Sequence, residues 1–241
     1  MKINELKKGL IVSCQATAEE PMRDSSIIGR FALAAEIGGA VAVRVNGVAD
    51  ILAAKQLITI PVLGIIKHDY PGYWSYITPT LRDVEVVYNT GAEMVAVDVS
   101  SMPKPYGLDA ETLIKEIKRN FPDMLLMGDI STLDEGLIAE QAGVDLISTT
   151  LAGYTPHTKD MNADIIMELR PPDIELVEQL VQRVEVPVVA EGRYWDEKNA
   201  IKAFEAGAHN VVIGAGITRP QVITKKIVDN ITPYCTSNNV K

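Results

Sequence analysis

The sequence predicts an α/β protein of one domain, a (β/α)8 TIM barrel, and three observations predict it. Eight short runs rich in Val, Ile, Leu and Ala recur at 10–15, 40–44, 61–67, 94–98, 124–129, 146–150, 187–191 and 210–214. Uninterrupted apolar runs of this length read as strands buried on both faces, as parallel strands flanked by helices are. Nearly every run ends in a polar or charged residue or in glycine, and the length of 241 residues matches the roughly 250 typical of these barrels. Such strands offer functional side chains only at their carboxyl ends. The chemistry is therefore expected on the C-terminal face of the barrel.

Taken in order, strand 1 (10–15) runs out at Gln15. Strand 2 (40–44) is entered through Gly38-Gly39 and ends at Arg44; strand 3 (61–67) begins at Pro61 and ends at Lys67. Strand 4 (94–98) follows Gly91 and ends at Asp98; strand 5 (124–129) follows Pro122 and ends at Asp129. Strand 6 (146–150) follows Gly143 and ends in Thr149-Thr150. Strand 7 (187–191) begins at Pro187 and ends at Glu191, and strand 8 (210–214) follows Gly207 and ends at Gly214. Even strands thus follow a glycine that closes the preceding helix in the left-handed conformation. Odd strands after the first are entered near proline, which costs no ladder hydrogen bond at a strand's first residue. The alternation points to a duplicated βαβα unit.

Between the runs, Thr78-Pro79 reads as an N-cap before a first-turn proline, and Ser131-Thr132-Leu133-Asp134 as a capping box with Asp in place of Glu. An amphipathic helix is expected over 173–184, after Pro171-Pro172. The connection 152–172 is the longest, with one short helix expected at 163–169. A long loop over the active face reads as a lid or substrate wall. The barrel is expected to occupy 1–235 and a frayed tail 236–241.

Hydrophobic residues make up 47% of the chain and aromatics 5%, so the core is expected to be aliphatic, as layered barrel interiors are. The formal charge of −9 and a pI near 4.9 argue against nucleic acid as a partner. An acidic chain that binds an anion must concentrate its few cations, which singles out Arg44, Lys67 and Arg193 at strand ends. Cys14 lies in a strand and Cys235 near the tail, so no disulfide framework and a reducing cytosol are expected. No apolar h-region follows the charged start, and no run approaches the ~20 apolar residues of a membrane span. The expectation is a cytoplasmic protein with no membrane partner.

At the barrel mouth, Gln15, Lys67, Asp129 and Glu191 close the odd strands and are expected in one layer, with Arg44, Asp98 and Thr149 at a neighbouring level. Asp98 reads equally well as a structural ion-pair partner, and Glu191 has a pair with Arg193 as its alternative. After strands 7 and 8, Gly192 and the helix-opening Gly214-Ala215-Gly216 read as a phosphate cradle of backbone amides. Glycine suits that task because a Cβ would hold the phosphate off. Of the histidines, His209 lies before strand 8 on the far face and is expected at the surface. His68 is expected opposite Lys67, and His157 sits in the long loop, where it could touch a ligand. No His, Asp or Cys spacing resembles a metal site, so neither metal nor cofactor is expected. The aromatic segment 70–76 reads as a loop anchor, an oligomer contact or a platform for a sugar ring, and a homo-oligomer, a dimer, is the expected assembly.

Longer motifs run from end to end. They are Gly9-Leu10-Ile11-Val12-Ser13-Cys14-Gln15, Gly64-Ile65-Ile66-Lys67 with Asp69-Tyr70-Pro71-Gly72, and Tyr76-Ile77-Thr78-Pro79-Thr80. Asp129-Ile130-Ser131-Thr132, Thr149-Thr150-Leu151 with Gly153-Tyr154-Thr155-Pro156, Ala190-Glu191-Gly192-Arg193 and Ile217-Thr218-Arg219-Pro220 continue the series. In these motifs the chain resembles the N-acetylmannosamine-6-phosphate 2-epimerase family of bacterial sialic-acid catabolism. The resemblance implies a phosphorylated amino sugar as small-molecule partner, Lys67 as the proton-transfer lysine and Glu191 as its assistant. It also implies contacts with sugar or phosphate from Gln15, Arg44, Asp129 and Arg219. Thr149 and Arg193 join the substrate-binding candidates from their strand-end positions. The chain departs from the family at Gly128, commonly Ala, and at Met102 and Lys104, in a loop usually richer in arginine. The stretch 161–172 is slightly long.

Inverting C2 of a 2-acetamido sugar requires removing the proton alpha to the C1 aldehyde of the open-chain form. The carbanion is tolerable only as an enolate. Lys67 acts as base only where it is partly neutral near pH 7. Burial and Arg44 lower its pKa, whereas Glu191 and Asp129 raise it, and the sequence leaves that balance open. Two rivals use parts of the same site. A Schiff-base lyase of aldolase type needs a strand-end lysine, expected on strand 6, where Thr149-Thr150 stand. A non-catalytic phosphosugar sensor needs the cradle but neither Lys67 nor Glu191.

Overall fold

The computed structural model describes residues 1–159 and 170–235. Eight parallel strands close into a barrel in chain order: β1 (Gly9–Cys14), β2 (Ala42–Asn46), β3 (Val62–Ile65), β4 (Met94–Asp98), β5 (Leu125–Asp129), β6 (Leu146–Ser148), β7 (Val188–Glu191) and β8 (Asn210–Ile213). Closure comes from β1, which pairs with β2 on one side and β8 on the other. The returning helices are α1 (Ser25–Ile37), α2 (Val48–Lys55), α3 (Leu81–Tyr88), α4 (Ala110–Asn120), α5 (Leu133–Ala142), α6 (Ile174–Arg183) and α7 (Glu197–Glu205). A short α8 (Ala215–Thr218) and a longer α9 (Pro220–Cys235) follow β8. Every strand end falls within two residues of the run that predicted it. The helix expected at 163–169 and the tail 236–241 lie outside the described residues.

Side-chain alternation divides the core into two layers. Ile11, Leu63, Ile65, Met94, Met127 and Val212 fill the barrel interior, while Val12, Val43, Val95, Val97, Leu126 and Val211 pack outward under the helices. β-Branched residues favour strands because they fit this pleated, packed surface, and burying each Val, Ile or Leu is worth about 1.5–3 kcal/mol. The inward rows then turn polar. Ser13, Arg44, Asp98, Asp129 and Ser148 continue the same faces and are buried, so a polar layer rests directly on an apolar plug.

The turns between helix and strand follow the expected chemistry. Gly39, Gly91, Gly143 and Gly207 all have positive φ, the left-handed step that sends the chain back into the barrel. Two caps differ from expectation. The N-cap of α3 is Thr80, whose hydroxyl accepts from Asp83 N, and Thr78 instead adopts φ 45° with its hydroxyl accepting from Ile66 N at 3.1 Å. The capping box of α5 joins Thr132 to Glu135, one position later than the Ser131 and Asp134 pairing, because Glu reaches back to the cap amide where the shorter Asp does not. The helix expected after Pro171-Pro172 is α6, capped by Asp173.

Candidate active site

A cavity of about 290 Å3 opens at the carboxyl ends of the strands, and its lining includes Gln15, Arg44, Lys67, Thr150, Glu191 and Arg219. Its floor is organised by Arg44, which reaches from β2 toward residues on three other strands or strand ends. Arg44 Nη2 donates to Asp129 Oδ2 at 2.6 Å and Nη1 to Asp129 Oδ1 at 3.2 Å. The same Nη1 donates to Glu191 Oε2 at 2.7 Å, and the Thr150 hydroxyl bridges Asp129 Oδ1 at 2.8 Å and Glu191 Oε2 at 3.1 Å. Arg44 and Asp129 are fully enclosed, at 1% and 0% exposure. Two carboxylates thus share one guanidinium. Burial opposes the Arg44 charge, but Asp129 and Glu191 outweigh it and hold the group above its ordinary pKa. Burial raises the Glu191 pKa, the Asp129 charge adds to the rise, and Arg44 opposes it. The partner of Glu191 is therefore Arg44, which corrects the alternative of a pair with Arg193.

Lys67 stands two residues beyond β3. Its backbone N–H donates to Asn46 Oδ1 at 2.8 Å, and its backbone forms an antiparallel bridge with Ile77. The Lys67 side chain is exposed to the cavity, yet the concave walls keep most of the surrounding space protein. That burial, with the Arg44 and Arg219 charges, outweighs Glu191 and Glu20 and brings the Lys67 pKa down to about 8.

The other expected residues separate into groups. Gln15 lines the cavity; its Nε2 donates to Ser13 Oγ at 2.7 Å, and its buried Oε1 has no hydrogen-bond partner among the described residues. Thr149 turns away from the cavity. Its hydroxyl donates to Glu191 O at 2.9 Å and accepts from Glu191 N at 3.0 Å, locking β6 to β7, while the next residue, Thr150, points inward. Arg193 borders the cavity at φ 62° and donates to two carbonyls, Ala152 O at 2.6 Å and Pro171 O at 3.0 Å. It ties together the two ends of the long βα connection.

Gly192, at φ 104°, Gly214 and Ala215 border the same cavity with Arg219. Gly214 is the N-cap of α8, and no side chain caps the opening turn there. Thr218 anchors this turn by donating to Ser13 O at 2.7 Å, and Arg219 Nε pairs with Glu20 Oε1 at 3.1 Å. Gly216 is required for a different reason, since a Cβ there would lie 2.5 Å from Trp195 O.

Asp98 is a structural ion-pair partner, bound to the buried Lys104 Nζ at 3.0 Å. His68 faces Asp83 at 3.6 Å, His157 is exposed, and His209 is half-buried with its Nδ1 2.7 Å from Asn210 Oδ1. The aromatic segment divides: Tyr70 OH anchors the loop on Asp83 at 3.1 Å, while Tyr76 lines the cavity and burial pushes its phenol up to about 12. Thr150, Tyr154, Tyr194 and Trp195 line the cavity as well and were not singled out as site residues from the sequence. Thr150 was available from side-chain parity, because 146, 148 and 150 share the inward face of β6 and its continuation. Among the described residues there is no cluster of His, Cys, Asp or Glu able to hold a metal, and no helix is long and apolar enough to cross a membrane.

Comparison with known proteins adds to this geometry. The family described as "Putative N-acetylmannosamine-6-phosphate epimerase" matches residues 28–233. A relative of the corresponding 2-epimerase description, from Caldanaerobacter subterraneus subsp. tengcongensis, is 49% identical over 236 residues, covering 98% of this chain and 96% of its own. The solved structure of the N-acetylmannosamine-6-phosphate 2-epimerase from Clostridium perfringens is 42% identical, with a TM-score of 0.86 and 95% of each chain covered. A thiamine phosphate pyrophosphorylase from Pyrococcus furiosus, at 17% identity and a TM-score of 0.57, shares the fold alone. With the family match spanning most of the chain and a relative nearly half identical along its length, this protein belongs to the N-acetylmannosamine-6-phosphate epimerase family.

Proposed function

We propose that the protein interconverts N-acetylmannosamine 6-phosphate and N-acetylglucosamine 6-phosphate, removing and returning the C2 proton through an enolate-type intermediate without a cofactor. The observation that carries this reading is an amine, Lys67, with its pKa lowered to about 8 inside a cavity that is also lined by Glu191, Gly192, Gly214 and Ala215. At that pKa roughly one amine in ten is neutral at pH 7 and able to accept a proton. Neutral Lys67 takes the C2 proton of the open-chain sugar. The C–H electron pair moves into a C1–C2 double bond, and the carbonyl oxygen takes up the charge. A proton then returns to the opposite face of C2 and the C1 carbonyl re-forms. Glu191 assists by orienting the sugar or supplying the returning proton, its charge state set by sharing Arg44 with Asp129.

The phosphate is proposed to lie against Gly192, Gly214, Ala215, Gly216 and Arg219, where the opening turn of α8 follows strand 8 as in other phosphate-binding barrels. Held there, it supplies remote binding energy that keeps C2 at Lys67. The unpartnered Oε1 of Gln15 suits a sugar hydroxyl or amide donor. A dimer belongs to the same proposal: α9 has no buried residue and leaves Ile227, Val228, Ile231 and Tyr234 exposed, an apolar stripe that suits a second copy. Both cysteines are free thiols, which suits a reducing cytoplasm.

The test is incubation of purified protein with N-acetylmannosamine 6-phosphate, followed by proton NMR, with a parallel borohydride quench. Conversion to N-acetylglucosamine 6-phosphate with no reduced adduct on Lys67 is expected. A trapped adduct would transfer the lysine to Schiff-base chemistry, and binding without turnover would make the protein a sensor.

A further inference from the structure

The barrel splays at the point where Lys67 must be held. β3 and β4 pair only at Leu63 with Met94 and at Gly64 with Val95, and their carboxyl ends then part. A strap at 75–78 fills the opening as a short antiparallel insert. On the β3 side, Thr78 N donates to Ile66 O at 2.7 Å and His68 N to Tyr76 O at 2.9 Å, around the bridge between Lys67 and Ile77. On the β4 side, Asp98 N donates to Ile77 O at 2.9 Å. The strap thus fixes the backbone on both sides of Lys67, and it carries Tyr76 into the cavity wall.

What fixes the strap is a buried ion pair that has no contact with the cavity. Lys104 and Ser75 are each 1% exposed and Asp98 is 3% exposed. Lys104 Nζ donates to Asp98 Oδ1 at 3.0 Å, Ser75 Oγ at 2.9 Å, Ser100 O at 2.9 Å and Met102 O at 2.9 Å. Ser75 Oγ in turn donates to Asp98 Oδ2 at 2.6 Å. A dehydrated ammonium surrounded by oxygens is costly to build unless every partner is in place, so it holds the start of the strap, the end of β4 and the 100–104 loop in one geometry. Thr78 sits in the strap at φ 45°, a conformation that a β-branched residue keeps only where its surroundings enforce it.

We propose that Lys104, Asp98 and Ser75 form a positioning device for the reaction, holding the 75–78 strap and through it the backbone of Lys67. The proposal rests on the reading of Lys67 as the base. None of the three side chains touches substrate. Their effect is on the alignment of the amine with C2, where a displacement of about 1 Å is enough for a hundredfold loss of rate.

Ser75→Ala is the discriminating variant, because it cuts the strap from the ion pair and leaves the contact between Lys104 and Asp98 intact. The expected result is a folded protein whose melting temperature falls by a few degrees, since Lys104 keeps Asp98 and two carbonyls while one Asp98 oxygen loses its donor, with KM changed less than about threefold and kcat reduced about 30–100-fold. A merely structural role would lower the melting temperature and leave kcat per folded molecule unchanged, which would overturn the proposal. If Ser75→Ala does not fold, Ser75→Cys is measured in its place, since the thiol is close to the hydroxyl in size and a much weaker hydrogen-bonding group. The same split of kcat from KM is expected, and a folded Ser75→Cys with wild-type kcat would overturn the proposal equally. Lys67→Ala is run alongside. Retained turnover in that variant overturns the base assignment and this inference with it, whereas an inactive Lys67→Ala beside a fully active Ser75→Ala overturns the positioning device alone.

Discussion

Glu191→Gln separates a catalytic role from a structural one, because the structure assigns the two roles different magnitudes. The substitution keeps volume and leaves an oxygen able to accept from Arg44 Nη1, now 2.7 Å from Glu191 Oε2. A hydrogen bond to a charged group contributes about 1.5–3 kcal/mol, and removing one of the two charges about halves it. That loss is offset in part, since burial and Asp129 already disfavour the Glu191 charge. Arg44 also retains both hydrogen bonds to Asp129 and is not left unpaired. The net change in stability is therefore about 1 kcal/mol or less, which moves Tm by roughly 2–4 °C in a chain of this size. A residue that orients the sugar or returns the proton contributes about 10²–10⁴-fold to kcat, roughly 3–5 kcal/mol of barrel-site barrier lowering. The assay pairs a melting curve with proton NMR of epimerisation and of C2 exchange in deuterated water. A stable Gln variant that epimerises at the wild-type rate refutes the catalytic role. Exchange without epimerisation assigns the second face of C2 to Glu191.

Asp129→Asn should behave in the opposite way, since it breaks a fully enclosed, doubly hydrogen-bonded pair with Arg44; the expected cost is about 3–5 kcal/mol, a Tm fall of roughly 10 °C by calorimetry, and an unchanged Tm would contradict the buried-pair account. Because the neutral amine is the active form and Lys67 titrates near 8, kcat/KM should rise with pH through about 8 and level off above it. A flat profile from about pH 6.5 to 9 would remove Lys67 as the titrating base. Gly214→Val places a branched side chain at the cavity wall, where a Cβ would lie 3.3 Å from Ser13 Cβ, itself a wall residue, so the variant crowds the proposed phosphate site. KM should rise about tenfold or more, and a folded variant with wild-type KM would locate the phosphate elsewhere.

The barrel was legible because its signals are repeated and local: a glycine at positive φ before each even strand, and apolar runs with polar ends. At the barrel mouth a single residue of strand parity mattered. Thr149 and Thr150 are adjacent, but alternation sends the first into a clasp on the Glu191 backbone and the second into the network with Arg44. The layer of odd-strand residues was also incomplete, because the long Arg44 side chain from an even strand reaches Asp129 and Glu191. The sequence marked 76–80 as a motif, Lys104 as a departure and Asp98 as an ion-pair candidate, but their contact depends on the splay between β3 and β4 and had no local signal. Gly128, where the family commonly has Ala, has a local reason: a Cβ would lie 2.8 Å from Val99 Cγ2, so Ala requires that neighbour to shift.

The central claim is that Lys67 removes the C2 proton, and deuterium wash-in measures that step without depending on net turnover. N-acetylmannosamine 6-phosphate is incubated in deuterated water with wild type or Lys67→Ala, and the C2 proton signal is followed by NMR. Wild type should lose that signal rapidly. Lys67→Ala should give a folded protein whose melting temperature still rises on adding substrate, and C2 exchange slower by about 10³-fold or more. Exchange by Lys67→Ala at the wild-type rate would contradict the account.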